Sequence, residues 1–116
     1  MNENPKYRTI TLFKDYFEVF FAKQRQKVKD KILWTLKLIE EVQFVPETYL
    51  KHLTGTDGIY EVRVQSGSDI FRILCFFDDD KLIVLANGFQ KKTQKTPKEE
   101  IKRAIKIKAE YDNDKK

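Results

Sequence analysis

The chain is poor in the residues that build covalent staples, metal cages and imidazole chemistry. It has one cysteine, one histidine, one tryptophan, three prolines and four glycines in 116 residues. A lone Cys75 inside the apolar run Ile73-Leu74-Cys75-Phe76-Phe77 rules out an internal disulfide, as is usual for a protein of a reducing compartment. His52 is the only imidazole, and no nucleophile motif accompanies it, so it reads as a loop or core-edge residue. Zinc-ligand spacing, a phosphate-cradling glycine loop and a dinucleotide fingerprint are all missing, so no cofactor and no metal site are expected. The run Asp78-Asp79-Asp80 does not change this, because three consecutive side chains in a tight turn point apart and serve as turn formers. No apolar stretch reaches the roughly 20 residues a bilayer-spanning helix needs. The start of the chain lacks the charged, apolar and small-residue succession of a secretory signal. The expectation is a cytoplasmic protein without membrane association.

What is present is a core and a lopsided charge. Hydrophobic residues make up 41% of the chain, with nine Phe and five Tyr. That suffices for one packed domain over residues 1–116 and argues against disorder. The net charge is +5. Residues 81–108 hold eight Lys and Arg103 against Glu99 and Glu100, or +7, which leaves −2 for the rest. Such asymmetry marks the C-terminal third either as a surface for a polyanion or an acidic partner, or as a helix solvated by lysines.

Periodicity orders the elements. Tyr7–Phe13 alternates loosely and predicts an opening strand. From Lys14 to about Val42 apolar residues recur at three- and four-residue spacing: Phe13, Phe17, Phe20 and Phe21, then Val28, Ile32, Leu36, Ile39 and Val42. The polar stretch Lys23–Lys27 suits a break into a helical hairpin, with one long helix as the alternative. Trp34 and the Phe series are expected in the core. Pro46 ends the helical region. Residues 45–58 read as a connection in which Tyr49–Leu53 form a turn of helix. Ile59–Gln65 puts Tyr60, Val62 and Val64 on one face and Glu61 and Arg63 on the other. A Gly67-Ser68 turn of type II′ leads into Ile70–Phe77. Leu82–Ala86 reads as a strand buried on both faces. A last helix runs from Pro97 to about Tyr111, with Thr96 as N-cap, Pro97 in the first position and Glu99 completing a capping box. The fold class is α+β: an N-terminal strand and a helical hairpin packed on a small antiparallel sheet, then a C-terminal helix.

Two places carry chemistry. With Gly67-Ser68 as turn residues, Arg63 faces Arg72 across the hairpin. Like charges opposed in a sheet repel, and either Glu61 on the same face or a bound phosphate would neutralise them. The basic loop Gly88–Pro97 runs into a helix N-terminus, where unpaired N–H groups favour anions. A surface ion-pair cluster and a solubilising loop are the plainer readings of these two features.

The runs Gly58-Ile59-Tyr60-Glu61-Val62-Arg63, Phe71-Arg72-Ile73 and Asn87–Ile101, the last containing Gly88-Phe89-Gln90-Lys91-Lys92-Thr93-Gln94-Lys95-Thr96-Pro97, resemble the phage-derived HigB-like branch of the RelE/ParE toxin superfamily. Length and element order match over nearly the whole chain. The resemblance implies a RelE-like fold and the toxin of a type II toxin–antitoxin pair. It implies a metal-independent endoribonuclease that cuts mRNA in the ribosomal A site and is neutralised by a HigA-like helix-turn-helix antitoxin. By position it brings Arg63, Arg72, Lys91, Lys92 and Glu61 into the catalytic site. Lys51, Asn87, Thr93 and Lys95 become RNA contacts. Arg63 and Arg72 would clamp the scissile phosphate, Lys91 or Lys92 would stabilise or protonate the departing 5′-oxygen, and Glu61 would take the 2′-OH proton. Many relatives carry His where this chain has Asn87, which cannot titrate near neutral pH, so that proton transfer falls to another residue. A ParE-like inhibitor of gyrase and an inactive RNA-binding paralogue are the alternatives.

Overall fold

Alternation in residues 59–65 and the Gly67-Ser68 turn dictate a hairpin, and the computed structural model, which describes residues 6–115, builds the sheet around it. Residues 1–5 and 116, the ends of the domain expected over 1–116, lie outside the described residues. In chain order the elements are β1 (Thr9–Leu12), α1 (Tyr16–Ala22), α2 (Gln26–Glu41), β2 (Leu50–His52), β3 (Tyr60–Ser66), β4 (Asp69–Phe77), β5 (Leu82–Lys91) and α3 (Lys98–Asp114). The five strands lie in the order β1-β5-β4-β3-β2. In the β3–β4 hairpin Ser66 faces Asp69 and Arg63 faces Arg72, as the two-residue turn requires. Gly67 holds the positive φ of +62° that such a turn asks of its first central residue.

The sheet is mixed rather than antiparallel. β1 pairs parallel to β5, Thr9 with Leu82 through Leu12 with Leu85. A parallel neighbour needs a long connection, and the two helices plus the hairpin strands supply it. Arg8 fixes the entry to β1 by donating to the carbonyls of Ile39, Val42 and Gln43 at 3.0, 2.7 and 2.7 Å. Ile39 and the C-cap Val42 end α2 and Gln43 lies just beyond it, where carbonyls lack intrahelical partners. The helical region does break, at Lys23–Arg25, where Gln24 Nε2 donates to the Phe20 carbonyl at 3.0 Å and Arg25 turns extended.

Two apolar layers enclose the sheet. On one face Val62, Val64, Phe71, Ile73, Cys75, Ile83 and Leu85 pack under Phe17 and Phe20 of α1 and Val28, Ile32 and Ile39 of α2. On the other, Leu74, Phe76, Val84 and Ala86 pack under Ala104 and Ile107 of α3. Gly88 is required by the first layer, since a Cβ there would drive into the Phe20 ring. Burial pushes the Cys75 thiol well above its ordinary pKa, which leaves it inert.

Four further expectations need correction. Tyr49–Leu53 is not helical: Leu50–His52 forms an edge strand on β3, because the exposed side of that strand offers backbone partners that a single helical turn cannot match. β5 continues through Gly88 to Lys91 and contains a bulge. Ile73 pairs with Gly88 and Cys75 with Leu85, so Ala86 and Asn87 together oppose Leu74. The capping box does not form. Pro97 is the N-cap, with extended backbone and no side-chain cap, and Thr96 turns its hydroxyl elsewhere. Trp34 is 48% exposed on α2 rather than in the core. Among the described residues no helix is long and apolar enough to cross a membrane.

Candidate functional site

The layer under α3 is apolar at one end only. On β4 the inward series Phe76, Leu74 is followed on the same face by Arg72, and on β3 Glu61, opposite Leu74, is followed by Arg63. The polar cluster therefore begins where the helix ends. Glu61 is 4% exposed and Arg72 6%, so both are charges taken out of water, which costs several kcal/mol per ion unless partners compensate.

Glu61 is the hub. Its Oε2 lies 3.4 Å from Arg63 Nε and 3.6 Å from Arg72 Nε. Its Oε1 accepts the Thr96 hydroxyl at 2.8 Å. One carboxylate thus separates the two opposed guanidiniums and anchors the residue just ahead of α3. The arginines are otherwise thinly held. Arg72 donates from Nη1 to its neighbour's carbonyl, that of Phe71, at 3.1 Å, and its buried Nε makes no hydrogen bond. Arg63 donates from Nη1 to the Glu47 carbonyl at 3.2 Å. Burial lowers the proton affinity of Arg72, Glu61 opposes that and Arg63 adds to it.

Lys91, at the end of β5, feels the same field. Burial holds its ammonium below the usual lysine pKa, Arg72 lowers it further, Glu61 pulls the other way, and Arg63 and Lys51 add to the depression. Four cations, Arg63, Arg72, Lys91 and Lys51, therefore share one patch with a single carboxylate. An excess of positive charge so arranged on half-dry side chains is suited to bind a phosphate and to stabilise charge developing on its oxygens.

The structure brings together Glu61, Arg63, Arg72, Lys91 and Lys51. It leaves Lys92, Thr93 and Lys95 exposed in the loop before α3, where Thr93 Oγ1 donates to the Lys95 carbonyl at 2.7 Å. Asn87 departs from expectation. It is 2% exposed, and its amide donates to the Glu100 carbonyl at 3.2 Å and to Glu100 Oε1 at 2.9 Å. So placed, it ties β5 to the first turn of α3 and offers no surface to an RNA. His52 is exposed at the sheet edge against the Tyr60 ring. Asp79 Oδ1 accepts the backbone N–H groups of Lys81 and Leu82, a turn-forming role.

Sequence reasoning missed Thr96 as a partner of Glu61, 35 residues away, and missed a cleft beside β3 where its pairing with β2 ends. The cleft, of about 400 Å³, is lined by Lys31, Thr48, Tyr49, Gln65, Arg63 and Arg72 among others. It opens the arginine pair to the side of the molecule on which α2 lies.

Residues 19–109 match the family described as phage-derived protein Gp49-like (DUF891). No curated protein matches the chain.

Proposed function

The chain belongs to the phage-derived Gp49-like family, a family of RelE/HigB-like toxins, and from that membership we propose that it is the toxin of a type II toxin–antitoxin pair and an endoribonuclease that cuts mRNA on the ribosome. The observation that carries the reading is the Arg63–Arg72 pair, opposed across the hairpin, half stripped of water and balanced by Glu61 alone.

RNA brings its own nucleophile, so the protein needs to align the 2′-OH, move two protons and stabilise a pentacoordinate phosphorus. The 2′-oxygen bonds to the adjacent phosphorus as the P–O5′ bond breaks, leaving a 2′,3′-cyclic phosphate and a 5′-hydroxyl. Arg63 and Arg72 hold the non-bridging oxygens and gain strength as charge gathers there. Once their donors turn to phosphate, Oε2 of Glu61 is released to accept the 2′-OH proton. Lys91 gives a proton to the 5′-oxygen, and its depressed pKa eases that transfer. Lys51, Lys92, Thr93 and Lys95 supply further contacts to phosphates along the strand. The partners are then mRNA, the ribosome and a HigA-like helix-turn-helix antitoxin, all in the cytoplasm. A small helix-turn-helix protein encoded beside the gene is the expected genetic signature.

Induction of Arg72→Gln in cells provides the test. The wild-type chain arrests growth and produces new mRNA 5′ ends at translated codons by primer extension. The variant, folded by circular dichroism, does neither. A fully toxic Arg72→Gln protein, or growth arrest without new 5′ ends, would overturn the reading.

A further inference from the structure

A second cleft, of about 470 Å³, adjoins the one that opens onto the arginines. The two share Lys31 and Gln65, and the second is lined by Trp34, Lys27 and the turn residue Gly67. The two clefts thus adjoin between Arg72 and an indole on α2, beside the part of β3 that lies beyond its pairing with β2. That indole is unusual in being both exposed and fixed. Trp34 is 48% exposed, while the Lys31 ammonium stands 4.3 Å from its ring centroid and Tyr49 meets it edge-on at 5.8 Å. The core does not require an indole there, because the buried side of α2 is filled by Val28, Ile32, Thr35 and Ile39.

Resting on the function proposed above, we infer that Trp34 is a stacking platform for a base of the single-stranded RNA flanking the scissile phosphate, with Lys31 and Lys27 holding the phosphates between. The occupant follows from the surface. An exposed aromatic ring beside lysines, in a cleft that adjoins one lined by two arginines, matches the alternation of base and phosphate in a single strand. Among the described residues, the only carboxylate lining the second cleft is Asp30, which is engaged by Gln26 Nε2 at 2.8 Å. Stacking tolerates any base, so this subsite adds affinity and reach without dictating sequence.

Trp34 is the only tryptophan in the chain, so its fluorescence reports this subsite alone. The probe is a short fluorescein-labelled RNA, 2′-O-methylated throughout so that it lacks the nucleophile. Binding is followed by anisotropy and, with an unlabelled copy, by Trp34 emission. The expected result is binding that depends on Arg72, accompanied by quenching of Trp34. Trp34→Ala weakens binding roughly tenfold, and Trp34→Phe restores most of the loss. An abasic RNA binds wild type as weakly as the intact RNA binds Trp34→Ala. If the oligonucleotide binds through Arg72 but Trp34 emission and the Trp34→Ala affinity are unchanged, the inference fails and the ribonuclease reading stands. If wild type does not bind the oligonucleotide, the inference fails, while the ribonuclease reading stands or falls on the primer-extension test in cells. Quenching that follows protein concentration alone assigns the indole to a contact between copies of the chain and overturns the inference.

Discussion

The two faces of the sheet are built on different principles. The face under α1 and α2 is lined mostly by apolar side chains, with Val62, Ile73, Ile83 and Leu85 all without exposed surface. The face under α3 changes character midway, from Leu74 and Ala86 to Arg72, Arg63, Glu61 and Lys91. The first face supplies free energy through burial, about 25 cal/mol per Å² of apolar area removed from water. The second spends part of that gain on a desolvated cationic cluster whose Arg72 Nε lacks a hydrogen bond. On the proposed function, stability and chemistry are thus divided between opposite sides of the same strands, and β3 shows it residue by residue: Val62 and Val64 belong to the first, Glu61 and Arg63 to the second.

The sharpest way to break this division is to convert the second face into the first. The double variant Glu61→Met, Arg72→Met replaces the buried ions by apolar side chains. Cleavage is expected to fall by about a thousandfold or more, whereas the thermal midpoint stays level or rises. A midpoint that drops by many degrees would mean that the cluster holds the fold together. Next in size is Ile32→Ala on the first face, which should cost about 3 kcal/mol in denaturant unfolding. Per folded molecule its cleavage rate should match wild type, and a large rate loss would tie the first face to the chemistry.

Lys91→Arg separates charge from proton transfer. The arginine keeps the positive charge but cannot release a proton, so cleavage should slow by about a hundredfold while oligonucleotide affinity holds. In the wild type Lys91 must be protonated to serve as the acid. Its pKa lies below the ordinary 10.5, so the rate should decline on the alkaline side at lower pH than an ordinary lysine would give. The Arg variant should lack that decline in a rate–pH profile, and an unchanged profile would remove Lys91 from the acid role. The smallest effect belongs to Thr96→Val. It withdraws one hydrogen bond from Glu61, for about 1 kcal/mol of stability and a few-fold change in rate. A loss as large as that of Ile32→Ala would promote Thr96 from a supporting contact to a keystone of the α3 junction.

Local rules made much of this legible. A two-residue turn leaves a hairpin a single register, so Arg63 opposite Arg72 followed from Gly67-Ser68 alone. The polar Lys23–Lys27 stretch marked the helix break because no apolar periodicity crosses it. Choices made between distant segments were not legible. Nothing in Thr9–Leu12 indicates that its partner is β5, in parallel. Leu50–His52 becomes a strand only because β3 has an open edge beside it. Thr96 has every local reason to cap α3, yet a buried carboxylate 35 residues away is the stronger claimant for its hydroxyl. Trp34 lies next to Leu33 and Thr35 in a regular helix, and periodicity alone does not say how wide a stripe the sheet will cover.

The bulge at Ala86-Asn87 acts on everything downstream as a change of parity. Before it, even-numbered β5 residues such as Val84 face α3, and odd-numbered ones such as Leu85 face α1 and α2. With two residues set against Leu74, the assignment reverses. Gly88 then lies under Phe20, Phe89 joins the α3 layer, and Lys91 arrives among the arginines. In an unbroken strand the same face would have received Gly88, Gln90 and Lys92. Of two adjacent lysines, the one that enters the cluster is chosen four residues upstream, by an irregularity that carries no charge.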